Sequence, residues 1–172
     1  LHSFPTRRSS DLTFNSNGIT GNTISGNGAA GVATKPGFGF LAQTSGTGLT
    51  NLVIGGPTTA LGNTITGNHS AGIGLFYSGA PGSGQTVDIN NNIISGNLAP
   101  TLPAATAATG QGIYIDERNT TQLNANVRNN TIQSNASDGV KFNTMDTATL
   151  TATVNNNTIG GAGALGNGGD GI

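Results

Sequence analysis

A short motif, Asn-x-Ile-x-x-Asn, recurs along this 172-residue chain and limits its possible folds more than any other feature. It stands at Asn22–Asn27, Asn63–Asn68, Asn92–Asn97 and Asn130–Asn135, and in part at Asn157–Ile159. Its isoleucines, Ile24, Ile65, Ile94, Ile132 and Ile159, are 41, 29, 38 and 27 residues apart. A constant motif with variable gaps is the pattern of stacked repeats whose insertions loop out of a shared core. A second motif, Asn-x-x-x-Gly-(Ile/Val), ends at Val32, Ile73, Val140 and Ile172, and at Ile113 after an insertion. A third element precedes the first: Val87–Ile89, Leu123–Val127 and Leu150–Val154 alternate apolar and polar residues, the period of a strand with one buried face.

Each unit thus supplies about three short strands joined by Asn- and Gly-rich turns, and one unit cannot bury its apolar side alone. No stretch shows a capped 3.6-residue period, and the Thr, Val and Ile content favours strands. The expected architecture is all-β, a parallel β-helix of about five coils stacked ~4.8 Å apart. The five isoleucines fill its interior. Two asparagine columns, Asn22, Asn63, Asn92, Asn130, Asn157 and Asn27, Asn68, Asn97, Asn135, Asn167, are expected to form amide ladders between coils. Glycine before the Ile/Val position implies either a positive φ or a close backbone approach. The chain stops at Gly171-Ile172, where another strand is due, and reads as a solenoid incomplete at both ends.

Composition narrows the function classes. Charged residues make up 8% of the chain and the formal net charge is −1, so no basic footprint for nucleic acid or an anionic membrane is present. There is no cysteine, which removes disulfide scaffolds and thiolate metal sites. No apolar run approaches the roughly 18 residues of a membrane-spanning helix. The first twelve residues differ from the rest: His2–Leu12 resembles an in-frame translation of a common sequencing adapter. Residues 1–12 are therefore set aside as non-native, and 13–172 are taken as the β-helix repeat fragment.

The Asn-x-Ile-x-x-Asn-x-x-x-Gly-Ile repeat resembles the right-handed parallel β-helix repeats, of pectin lyase-like fold, found in large bacterial secreted and cell-surface proteins. The stretch from Ile54-Gly55-Gly56-Pro57 to Ile65, with its echo from Ile159-Gly160-Gly161 to Asn167, carries the same resemblance. It covers residues 13–172 and implies a right-handed solenoid with an extracellular or cell-surface location. The family includes adhesin-like proteins and polysaccharide-active enzymes alike, so the resemblance speaks to fold more than to function.

Few residues suggest chemistry. Gly26–Gly31 spells G-x-G-x-x-G, but the repeat accounts for the glycines and no helix follows. Asp116 and Glu117 are adjacent, so on a strand they point to opposite faces. Alignment on the Gly-Ile/Val step sets Asp116 beside Phe76 and Asn143, and Glu117 beside Tyr77 and Thr144. Neither acid gains the carboxylate partner that glycosidase chemistry needs. Asp116-Glu117-Arg118 reads as a solvated strand end, with Phe in the core and Tyr at the strand edge. The alternative is a sugar-holding patch of Tyr77, Tyr114, Asp116, Glu117 and Arg118. Asp138 and Asp170 align before the same Gly. They are expected to splay into water, although a calcium ion between coils is the alternative, since stacked carboxylates ~5 Å apart repel. His69 reads as a surface turn residue. The outward row Thr149, Thr151, Thr153 meets Gln122, Asn124, Asn126, so no flat threonine array forms.

The expected role is therefore a non-catalytic structural or adhesive segment of a bacterial secreted or surface-anchored protein, with a polysaccharide or a host or neighbouring cell surface as partner. It needs no cofactor, calcium being the one ion considered, and no catalytic residue is assigned. The alternatives are the scaffold of a polysaccharide lyase or glycoside hydrolase whose catalytic coils lie outside this fragment, and a trimeric phage-type tail fibre.

Overall fold

The computed structural model describes residues 14–15, 18–28, 37–45, 51–79, 84–100 and 109–172. The adapter-like segment, Ala29–Gly31 and Val32 lie outside the described residues. The first coil contains β1 (Phe14–Asn15), β2 (Gly18–Ile19), β3 (Thr23–Ser25) and β4 (Phe40–Ser45). The second runs through β5 (Asn51–Gly55), β6 (Thr64–Thr66) and β7 (Ile73–Gly79), and the third through β8 (Gln85–Asn90), β9 (Ile93–Ser95) and β10 (Ile113–Asn119). The fourth has β11 (Gln122–Arg128), β12 (Thr131–Gln133) and β13 (Val140–Thr144), and the fifth β14 (Thr149–Asn155) and β15 (Thr158–Ile159).

These strands form three sheets that run the length of the stack. The first has the order β1-β2-β5-β8-β11-β14, the second β3-β6-β9-β12-β15 and the third β4-β7-β10-β13. Among the described residues every pairing between coils is parallel, and only β1 with β2, within the first coil, is antiparallel. Strand pairing joins each coil to the next, so no coil is stable by itself.

Asparagine controls the corner between the first and second sheets. The Asn22 N–H and Nδ2 both donate to Asn63 Oδ1 at 3.0 Å, and Asn63 donates in the same way to Asn92. Asn92 donates to Asn130, and Asn130 to Asn157. From Asn63 onward each Nδ2 of this ladder also reaches back to a main-chain carbonyl of the coil before, as Asn92 does to Ile54 and Asn130 to Ile89, while Asn22 Nδ2 donates to the Thr20 carbonyl of its own coil. A second ladder, Asn27-Asn68-Asn97-Asn135-Asn167, turns the chain from the second sheet toward the third. These amides are buried in the inner coils and use both ends, which is how a polar group is kept inside at low cost. In four of the five coils the residue before the first ladder takes a left-handed turn, Gly21 at φ 65°, Asn91 at 57°, Asn129 at 56° and Asn156 at 52°, whereas Gly62 before Asn63 is extended at φ −70°. Asparagine is among the few L-residues that tolerate this region, which explains the Asn-Asn doublets.

Inside the solenoid, Ile24, Ile65, Ile94, Ile132 and Ile159 stack in register along the second sheet. The first sheet adds Ile19, Ile54, Ile89, Val127 and Val154, and the third adds Phe40, Ile73, Ile113 and Val140. Full burial of each such aliphatic chain contributes roughly 1.5–3 kcal/mol. In the first coil Phe40, not Val32, pairs with Ile73. The Gly-Ile/Val step there is Gly39-Phe40, displaced by an insertion.

The glycine ahead of that step answers to close approach. A Cβ on Gly112 would lie 2.5 Å from Ile132 Cγ2 and 2.6 Å from the Gly139 carbonyl oxygen, and Gly39, Gly72 and Gly139 are equally crowded. Gly112→Ala should therefore lower stability by roughly 1–3 kcal/mol, read as a lower urea midpoint. Asn92→Ala should cost more, because it strands the donors of Asn63 and the carbonyl of Ile54 at about 1–3 kcal/mol for each buried group left unpaired. An unchanged midpoint for Asn92→Ala would show that the ladder does not hold the coils together.

Candidate functional site

The third sheet carries most of the candidate residues, and its register assigns each to a face. Leu41, Gly74, Tyr114 and Lys141 form one outward column, and Gln43, Phe76, Asp116 and Asn143 form the next. Ser45, Ser78 and Arg118 make a third. Gly74 leaves room for a ring: a Cβ there would lie 2.5 Å from Phe38 Cδ1. Phe38 packs edge-on against Phe76 with ring centroids 5.7 Å apart, and Phe76 lies 5.6 Å from Tyr114. This aromatic group and Ala71 form a small apolar cluster apart from the main core.

Asp116 is the polar centre of this face. It is 1% exposed and accepts from four donor atoms: the Tyr114 hydroxyl at 2.9 Å, Arg118 Nε at 2.7 Å and Nη2 at 3.1 Å, and Asn143 Nδ2 at 3.0 Å. Burial opposes its ionisation, but the hydrogen bonds from Arg118, Asn143 and Tyr114, with the guanidinium charge, prevail and hold the carboxyl below its ordinary value. The Tyr114 hydroxyl is driven well up by burial and by its bond to Asp116. Arg118 is anchored at both carboxylate oxygens, yet its side chain is 50% exposed.

Tyr77 and Glu117 point the other way. Both sit in the inward column Thr44-Tyr77-Glu117-Thr144, in phase with Ile73, Leu75, Ile113 and Ile115. Tyr77 is 1% exposed and Glu117 0%. The Tyr77 hydroxyl, the Thr44 hydroxyl and both Glu117 oxygens are buried without a hydrogen-bond partner. Burial alone pushes the Glu117 carboxyl up to about 7. Burial, and then the Glu117 charge, pushes Tyr77 up to about 12.

The five residues of the expected patch therefore divide between two faces, and no outside ligand reaches Tyr77 or Glu117. The solvated strand end expected at Asp116-Glu117-Arg118 is corrected as well: only Arg118 meets solvent. The expected placement of Phe and Tyr reverses in the second coil, where Phe76 is partly exposed and Tyr77 buried. The phase of the flanking apolar residues carried this information, because position 117 continues the inward run from Ile113 and Ile115. The role of Phe38 was invisible in sequence, since it depends on the bare backbone of Gly74 one coil away.

Asp138 and Asp170 do come together, through the main chain. The Asp170 N–H donates to Asp138 Oδ1 at 3.1 Å, while Lys141 Nζ lies 3.4 Å from Asp138 Oδ2. Asp138 thus has an ammonium and an amide for company. Among the described residues no group of three or more His, Cys, Asp or Glu is placed to hold a metal ion. His69 donates its main-chain N–H to the Asn27 carbonyl in the second corner. On the first sheet Thr149, Thr151 and Thr153 lie beside Gln122, Asn124 and Asn126.

The family described as "Right handed beta helix region" matches residues 6–159. This chain belongs to that family, and the parallel sheets are those of a right-handed β-helix. No curated protein and no solved structure matches the chain. No helix among the described residues is long and apolar enough to cross a membrane.

Asp116 contributes stability that is present above its unfolded value of 3.8 and is lost as pH falls through its lower folded value. Asp116→Asn should flatten the acid limb of the stability profile. Tyr114→Phe should remove a charge-assisted hydrogen bond worth about 1.5–3 kcal/mol. Chemical denaturation between pH 2 and pH 6 reads both effects, and an acid limb unchanged in Asp116→Asn would dismiss the network as a source of stability.

Proposed function

We propose that this chain is a non-catalytic structural segment of an extracellular or cell-surface protein, and that the outer face of its third sheet binds a polysaccharide. The observation that carries the reading is the network centred on Asp116. Arg118 is fixed there with half of its side chain in solvent, on the carboxylate that also holds the Asn143 amide and whose register neighbour Phe76 is partly exposed. An aromatic surface beside rigid hydrogen-bond donors suits a sugar ring, which offers C–H groups on its faces and hydroxyls at its rim.

The acids argue against catalysis by this segment. Asp116 is ionised and saturated with donors, so it has no proton to give and little basicity to offer. Glu117 is sealed inside. The paired carboxylates of glycoside hydrolysis, about 5–9.5 Å apart across an open cleft, have no counterpart among these residues.

The test is calorimetry against a panel of bacterial and plant polysaccharides, together with assays for reducing ends and unsaturated products. Arg118→Ala and Phe76→Ala should each weaken binding at least about tenfold while the β circular dichroism persists. Binding that is indifferent to both substitutions would remove the third sheet as the site. Release of cleaved sugar would instead favour a polysaccharide-active scaffold.

A further inference from the structure

The interior of a β-helix is a poor place for a carboxylate, yet Glu117 is there, and its position is set by pairing and not by a movable loop. On β10 it follows Ile113 and Ile115 on the inward face, between Tyr77 of β7 and Thr144 of β13. Its side chain is fully buried and neither oxygen has a partner. A buried carboxylate without a counter-charge is costly, whereas the neutral acid is far less so.

The groups that face it provide no such charge. Tyr77 on β7 is the one titratable neighbour in the column, and it is acidic. Thr144 on β13 and Thr44 on β4, two coils from Glu117, are neutral. β8 and β11 bring Gln85 and Leu123, paired in register, to the interior where their sheet begins. The charged residues beside Glu117 in sequence, Asp116 and Arg118, point outward and neutralise each other. The Asp146 carboxylate is engaged in the nearby turn, where it accepts from the Asn119 N–H at 2.9 Å.

We propose that Glu117 makes this solenoid proton-responsive: as a neutral acid it lies inside the third sheet, and its ionisation loosens the ends of β7, β10 and β13. The direction of the effect follows from the burial. The folded-state value, about 7, exceeds the ordinary 4.5, so the folded chain binds the extra proton between these limits. The stabilisation is complete below pH 4.5, declines above it and is gone once the pH has passed about 7. The β-helix is then firmest in mildly acidic surroundings. Strand ends beside Met145, whose N–H donates to the Glu117 carbonyl at 2.8 Å, are the first to open.

Urea unfolding of the whole chain from pH 4.5 to pH 8.5 tests this. The wild-type unfolding constant should rise on the order of a hundredfold across the range. Glu117→Gln and Glu117→Leu should both show a flat profile, and the leucine variant should be the more stable of the two at pH 8. The Glu117 side-chain carboxyl carbon, followed by NMR, should titrate near neutrality. Wild-type and variant profiles of equal slope, or a carboxyl that titrates in the ordinary range, would overturn the proposal. So would stability at pH 8 that rises with potassium or calcium chloride in the wild type and not in Glu117→Gln, because a metal ion would then occupy the site in place of the proton.

Discussion

Coil-to-coil hydrogen bonding by buried asparagine amides is the interaction on which the rest of this structure depends. A parallel β-helix must turn its backbone sharply at each corner, and every turn exposes main-chain groups that the sheets no longer pair. At each inner position of the first ladder, Asn63, Asn92 and Asn130, the side-chain carbonyl oxygen accepts two bonds from the coil before and Nδ2 bonds both neighbouring coils. The corners are thereby tied in the same direction as the sheets. With the corners set, the isoleucine columns fall into register and glycine must stand wherever one coil touches the next through bare backbone.

A second constraint, the two-residue alternation of a strand, divides the chemistry of β10. Two adjacent acids on one strand reach opposite ends of the range of environments. Asp116 faces outward into a set of donors and stays charged, whereas Glu117 faces inward to an apolar interior and is driven toward neutrality. The outer network fixes a guanidinium at the surface, on a carboxylate whose register neighbour is the partly exposed Phe76. The inner acid leaves the core dependent on a proton. The two residues therefore answer to pH in opposite directions, Asp116 stabilising the fold as the anion and Glu117 as the neutral acid, although one backbone carries both.

Much of the fold could be read from the repeat. The Asn-x-Ile-x-x-Asn spacing names both ladders and the central isoleucine column, because the corner geometry is strict and each coil must meet it. The candidate site was less legible. Its register was available, with Asp116 beside Phe76 and Asn143, and the phase of Ile113 and Ile115 carried the burial of Glu117, but the burial of the outward-facing Asp116 was not available. Charged residues at a strand end are commonly solvated, and that expectation failed here because an aromatic cluster closes over Tyr114 and a guanidinium covers Asp116. The displaced step at Gly39-Phe40 went unread for a related reason: an insertion repeated the Gly-Val spelling at Gly31-Val32 before the true strand began.

The sequence by itself determined the architecture, since a periodic pattern of side chains that bond to their own copies leaves one way to stack. Tertiary structure alone decided what each exceptional residue is for. Whether an acid is a surface anchor or a buried proton carrier depends on which atoms from other coils surround it, and those atoms lie 27 or more residues away in sequence. Desolvation and hydrogen bonding act over a few ångströms in space, and only the wound chain brings those ångströms into being.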